Sequence, residues 1–216
     1  MGFEGEQSGD RGSDQRELYW EEDIESEEDP NAYPPYCNYE LKDSVNMSLD
    51  SDTAHPDLVL SEDQKSVRCG HARQDLLNNP ERFDTELCVL GCEGFTSGRH
   101  SWEVEVGDRG SWSVGVARES VRRKRWISLN PEEGIWAVEW CWWGQFWALT
   151  SPVTPLPLSR EPKRIRVCLD CKRGQVTFFD AGNEAPIFTF PLASVPGERI
   201  HPWLRVGAGA QLRLCP

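Results

Sequence analysis

Apolar and polar residues alternate with period two in several short segments beyond residue 98. In Trp102-Glu103-Val104-Glu105-Val106 the tryptophan and valines share one face and the glutamates the other. In Trp112-Ser113-Val114-Gly115-Val116-Ala117 the tryptophan and valines again share a face. This is the pattern of a half-buried antiparallel strand. Gly107-Asp108-Arg109-Gly110 between the two segments has turn chemistry, so the spacing predicts a hairpin. The same reading predicts strands at Leu58–Leu60, Ser66–Arg68, Phe83–Leu90, Pro162–Leu169, Val176–Asp180, Pro186–Pro191, Ile200–Arg205 and Gln211–Leu214. Only Asp50–Pro56 suggests a helical turn, with aspartates placed to cap it and a proline to end it. About a dozen short strands with Gly/Pro turns predict an all-β fold, a two-sheet antiparallel β-sandwich.

One segment strains this pattern. Ile135-Trp136-Ala137-Val138 and Phe146-Trp147-Ala148-Leu149 fit the two strands of a hairpin, but Glu139-Trp140-Cys141-Trp142-Trp143-Gly144-Gln145 lies between them. Alternation puts Trp136, Val138, Trp140 and Trp142 on one side and Ala137, Glu139, Cys141 and Trp143 on the other. Both sides cannot be wholly core near a hairpin tip. One or two of Trp140, Trp142 and Trp143 are therefore expected at the surface, where aromatic side chains serve as binding anchors. The competing reading places all three in the core or in stacking within the hairpin.

Three landmarks, in order, carry a family resemblance. They are Leu49-Asp50; Gly98-Arg99-His100-Ser101-Trp102-Glu103-Val104-Glu105 with Trp112 and Gly115-Val116-Ala117-Arg118-Glu119-Ser120; and Leu169-Asp170 before Cys171-Lys172. This resembles the PRY-SPRY (B30.2) domain of tripartite-motif and butyrophilin proteins, from residue 46 to the closing Leu214-Cys215-Pro216. The third landmark departs from many members, which have Tyr-Glu after Leu-Asp. The resemblance implies a PRY part at about residues 46–95 and a SPRY part at about 96–216. It implies a non-enzymatic module that holds a peptide or loop of a target protein in a loop-lined pocket. The positions that match such pockets are Ser113, Glu139, Cys141 and the stretch from Arg205 to Ala208. Together with Trp140, Trp142 and Trp143 they form the candidate site. Among tripartite-motif relatives such domains recruit substrates to ubiquitin ligases, often in innate immunity. This chain has no Cys/His array for a RING finger and no heptad run, so a ligase role would need a RING-bearing partner or parent protein. A butyrophilin-like sensor of a small phosphorylated ligand is the alternative. It would draw on Arg99, His100, Arg118, Arg122 and Arg205.

Charge separates the chain into two parts. Residues 1–45 hold 14 acidic and 3 basic residues, a net of −11, whereas the remainder holds 22 and 20, a net of −2. The first part cannot bury enough apolar surface to offset chain entropy, and is expected to be a disordered acidic tail or linker. Leu18-Tyr19-Trp20 is an aromatic island within it. The near-neutral remainder argues against nucleic-acid binding. There is no run of about 18 apolar residues and no signal-peptide pattern at the start. The expectation is a cytoplasmic protein without membrane insertion, its eight cysteines reduced.

Catalytic and metal chemistry find little support. Glu103 and Glu105 have the spacing of a glycosidase carboxylate pair, but pairing with cross-strand cations is the simpler expectation. Cys168-Leu169-Asp170-Cys171 has CxxC spacing without a second pair, so isolated thiols are expected and neither metal nor cofactor is assigned. No nucleophile elbow or phosphate-binding glycine loop occurs. Arg122-Arg123-Lys124-Arg125 reads as a solvated basic loop.

Overall fold

The computed structural model describes residues 47–158, 160–192 and 197–215. The acidic segment and its aromatic island lie outside the described residues. Among the described residues thirteen strands follow in order: β1 Leu58–Leu60, β2 Ser66–Cys69, β3 Cys88–Leu90, β4 Arg99–Val106, β5 Trp112–Arg118, β6 Ile135–Cys141, β7 Gln145–Ala148, β8 Thr154–Leu156, β9 Arg164–Asp170, β10 Gln175–Asp180, β11 Ala185–Pro191, β12 Ile200–Val206 and β13 Gln211–Leu214. They form a seven-stranded sheet, β1-β2-β13-β4-β9-β10-β11, and a six-stranded sheet, β3-β12-β5-β6-β7-β8. Among the described residues the strand pairings within both sheets are antiparallel.

The segments expected to form the first hairpin do not pair. β4 bonds to β13 and β9 in one sheet, and β5 to β12 and β6 in the other. Gly107–Ser111 is thus a passage between sheets. Alternation showed that each strand has one apolar face. It could not show that the two faces meet across the sandwich rather than side by side. Trp102, Val104 and Val106 join Trp112, Val114 and Val116 in the inter-sheet core, with Ile165, Val167, Leu212 and Leu214. Gly115 sits where a Cβ would fall 2.2 Å from the Trp136 carbonyl oxygen, so β5 and β6 can approach only without a side chain there.

A second, smaller core lies on the outer face of the six-stranded sheet. Ala117, Ile135, Ala137, Leu149 and Trp203 are covered by Phe83, Val121 and Ile127. Arg123 pins the covering loop. It is buried and donates to the carbonyls of Val121, Glu81 and Glu119 at 3.0, 3.1 and 2.8 Å, with its guanidinium 5.2 Å from the Phe83 ring centre. Lys124 donates to Asn78, Asn79 and Arg82. The basic run is therefore a structural clamp in its middle and not a solvated loop. Phe83, read from its sequence as strand, instead anchors this loop, and only Cys88–Leu90 of that segment is strand.

Asp50–Thr53 is a turn and no α-helix follows it; Asp50 accepts from the Asp52 amide at 2.9 Å. Among the described residues the one helical element is the 3-10 turn Pro131–Glu133, capped by Asn130 and closed by Gly134. Asp170, in the third landmark, is buried and binds the Arg99 guanidinium at 2.9 Å and the Arg173 amide at 2.9 Å. It ties β9 to the start of β4.

Candidate functional site

The other half of the outer face is not covered by the loop. Strand register places Cys88, Arg205, Ser113, Glu139, Trp147 and Pro155 in one row across all six strands. Four of the sequence-predicted site residues come together here. The Ser113 hydroxyl donates to Glu139 Oε2 at 3.1 Å, and the Cys141 thiol donates to Glu139 Oε1 at 3.3 Å. Arg205 Nη1 lies 3.6 Å from Glu139 Oε2, and its Nε lies 3.3 Å from Glu86 Oε2. Ser113 is fully buried at 0 % exposure, and Cys141 is also buried. These two form the floor and hold Glu139 in place, while Glu139 and Arg205 reach the surface.

Burial and the Glu139 carboxylate push the Cys141 thiol up to about 12, so it remains protonated and serves as a hydrogen-bond donor. Burial also raises the Cys88 thiol, partly offset by Arg205.

β6 continues to Cys141 and β7 begins at Gln145, so the ladder runs further toward the tip than the sequence suggested. Trp142, Trp143 and Gly144 form the turn, and Gly144 takes φ 83°, a left-handed conformation suited to glycine. Trp142 is 74 % and Trp143 57 % exposed. Their rings meet edge to face, 5.6 Å between centres. The Trp142 amide donates to Ser111 Oγ at 3.1 Å, and Trp143 Nε1 donates to Gln145 Oε1 at 2.9 Å. The pair is thereby held at the tip with most of both side chains exposed.

Trp140 is a correction to the candidate site. It is only 8 % exposed and packs in the inter-sheet core beside Phe146, 6.0 Å between ring centres. Its inward direction follows from alternation with Val138 and Trp136. Ala208 is exposed on the turn after β12, which is joined to the β5 approach by Gly207 N–H to Ser111 O at 2.8 Å. A cleft of about 620 Å³ near Pro56, Arg73–Asn78 and Arg82–Thr85 contains none of these residues.

Sequence reasoning missed Glu86. Glu86 is the acid that directly precedes the apolar run Leu87–Leu90, and that placement was a signal for a buried partner. Its cation, Arg205, lies 119 positions away and was not legible.

Glu103 is held by Arg166 at 2.8 Å and Arg164 at 2.9 Å, and Asp108 is paired with Lys163. The cross-strand pairing expected for Glu103 is present. Among the described residues no group of three or more His, Cys, Asp or Glu is placed to hold a metal ion.

Two antiparallel sheets, with an outer face shaped by the ends of strands and connecting turns, define a β-sandwich interaction domain. Residues 47–95 match the family model of the SPRY-associated domain, PRY, and residues 99–215 match the SPRY domain. The chain belongs to the PRY-SPRY (B30.2) family. It is 51% identical over 154 residues to bovine butyrophilin subfamily 1 member A1, covering 71% of this chain and 29% of that protein. It is 45% identical over 175 residues to the human butyrophilin of the same name (80% and 33%) and 42% over 179 residues to human zinc finger protein RFP (80% and 34%). The chain thus spans about a third of the length of these relatives. The crystal structure of the TRIM65 PSpry domain shares the fold, with a TM-score of 0.68 at 23% identity over 79% of this chain and 90% of that one. SPRY domains are protein-interaction modules in tripartite-motif and butyrophilin proteins, generally non-catalytic. Among the described residues no helix is long and apolar enough to cross a membrane.

Proposed function

We propose that this domain holds a peptide or loop of a target protein against the open half of the six-stranded sheet, without catalysing a reaction on it. The carrying observation is the Trp142–Trp143 pair, two large apolar side chains held at a hairpin tip and largely exposed. Exposed aromatic anchors bury much area on binding at small cost in side-chain entropy. Glu139, Arg205 and Ala208 supply the polar and steric surroundings. In this reading Ser113 and Cys141 act from beneath, by positioning Glu139.

A phosphorylated small ligand fits less well. Its candidate cations are spread over the fold: on β4 Arg99 binds Asp170 and His100 stacks on Phe95, Arg118 donates to Glu132 O, Arg122 is exposed in the loop after β5, and Arg205 lies between two carboxylates. The likeness to tripartite-motif proteins favours substrate recruitment to a ubiquitin ligase in the cytoplasm, including in innate defence. The RING finger would come from a partner or a longer parent chain.

Pull-down from cell lysate, with mass spectrometry, tests the reading. Trp142→Ala and Trp143→Ala are expected to leave the melting temperature within about 2 °C of wild type, as surface substitutions do, while removing specific partners. Partner capture unaffected by both changes would reject this surface.

A further inference from the structure

The charges at the foot of the tryptophan tip do not balance. Glu86 and Glu139 both face Arg205, at 3.3 and 3.6 Å. Among the described residues no second cation is paired with either carboxylate, so the group carries a net charge of −1. Two further features make this more than an acidic cluster. The Ser113 hydroxyl and the Cys141 thiol both donate to Glu139, which satisfies acceptor positions on its carboxylate without adding positive charge. One residue beyond Cys141, the same hairpin presents two exposed indoles whose π-faces attract cations. Carboxylate and aromatic groups beside one another complement a positive charge with an aliphatic stem.

We propose that the target segment recognised here inserts a basic side chain, lysine or arginine, between the Trp142–Trp143 tip and Glu139. This rests on the recognition reading above and narrows it to a partner chemistry. The aliphatic stem packs on indole, and the charged head completes the ion-pair group. The competing anionic occupant, a phosphorylated or acidic segment, would add its charge to an excess of carboxylate. Arg205 is the cation that would have to receive it, and it is already engaged on both sides.

Selection of random peptides displayed on phage against the whole chain tests the proposal. The selected peptides are expected to share a lysine or arginine beside an apolar residue. Replacing that residue by citrulline or acetyl-lysine should weaken binding roughly tenfold or more, equivalent to about 1.4 kcal/mol. Glu139→Gln should weaken it similarly at unchanged melting temperature, and raising the salt concentration should weaken it further. Peptides that need Trp143 but carry no basic residue would overturn the cation proposal and leave the recognition surface standing. Peptides indifferent to both Trp143→Ala and Glu139→Gln, or no enrichment at all, would reject the surface itself. The citrulline arm keeps the test decisive even if Glu139→Gln perturbs the fold, since it leaves the protein unchanged.

Discussion

At the residue scale, four positions in one short segment show how neighbours acquire unlike roles. Trp140 faces the core, whereas Trp142 and Trp143, two and three residues on, face solvent. Trp140→Ala should cost about 3–5 kcal/mol, a buried large-to-small change, in contrast to the near-neutral changes at the tip; urea denaturation separates them. Cys141 is buried beside a carboxylate, and both effects disfavour its thiolate. It should resist iodoacetamide at pH 8 in the folded state. Glu139→Gln removes the charge and the carboxylate acceptor, so the thiol should fall back toward its ordinary value and label faster at pH 9. An unchanged labelling rate would mean that burial alone governs this thiol. His55 offers a pH test elsewhere. The Asp57 amide donates to Nδ1 at 3.1 Å, so Nε2 carries the proton and faces Asp84 O at 3.0 Å. Burial lowers its pKa below the usual 6.5. The unfolded chain therefore takes up a proton first as pH falls, and His55 removes stability below about pH 6.5, but not above it. The difference in urea midpoint between pH 7.5 and pH 5 should shrink in His55→Asn.

At the element scale, β4 and β5 correct the hairpin expected from their spacing. Each strand is amphipathic as read, but their link crosses between sheets, and the apolar faces meet across the core. The covering loop of residues 119–130 is the second case. Charge density suggested solvation, yet Arg123 supplies three bonds to backbone carbonyls and Lys124 supplies three more contacts. Arg123→Ala should destabilise by roughly 2–4 kcal/mol, since it strips charged donors from buried acceptors. Trypsin should then cut at Arg122 or Arg125 sooner than in wild type. Arg123→Lys should recover little, because one ammonium cannot reproduce the planar fork over Phe83. Equal proteolysis of all three proteins would show that the apolar contacts of Val121 and Ile127 suffice to hold the loop.

At the scale of the whole molecule, the two outer faces differ in character. The seven-stranded sheet carries ion pairs that tie β4 to β9, with Glu103 between Arg164 and Arg166 and Arg166 also on Glu184. Its Glu103 carboxylate is saturated, and the pairs, partly exposed, contribute modestly to stability. The six-stranded sheet carries an apolar cover over one half and an unbalanced ion-pair group beside exposed tryptophans over the other. If recognition uses the six-stranded face as proposed, charge-changing substitutions on the opposite face, such as Glu103→Gln, should leave partner capture unaffected.

The β class, most strands, the apolar face of each and the family were legible in the residue order alone. These follow from period-two alternation and from local motifs, which act between residues near in the chain. Residue order also marked Ser113, Glu139, Cys141 and Arg205 through resemblance, and an exposed aromatic tip through a conflict in alternation. Which strands share a sheet and which side chains meet emerged with the packed fold. The row from Cys88 to Pro155 needs the register of six strands from distant parts of the chain. Glu86 finds Arg205, and Arg123 finds Phe83, only after that packing. Alternation fixes on which side of a strand a residue lies, whereas its partner is fixed by the strand that arrives next to it.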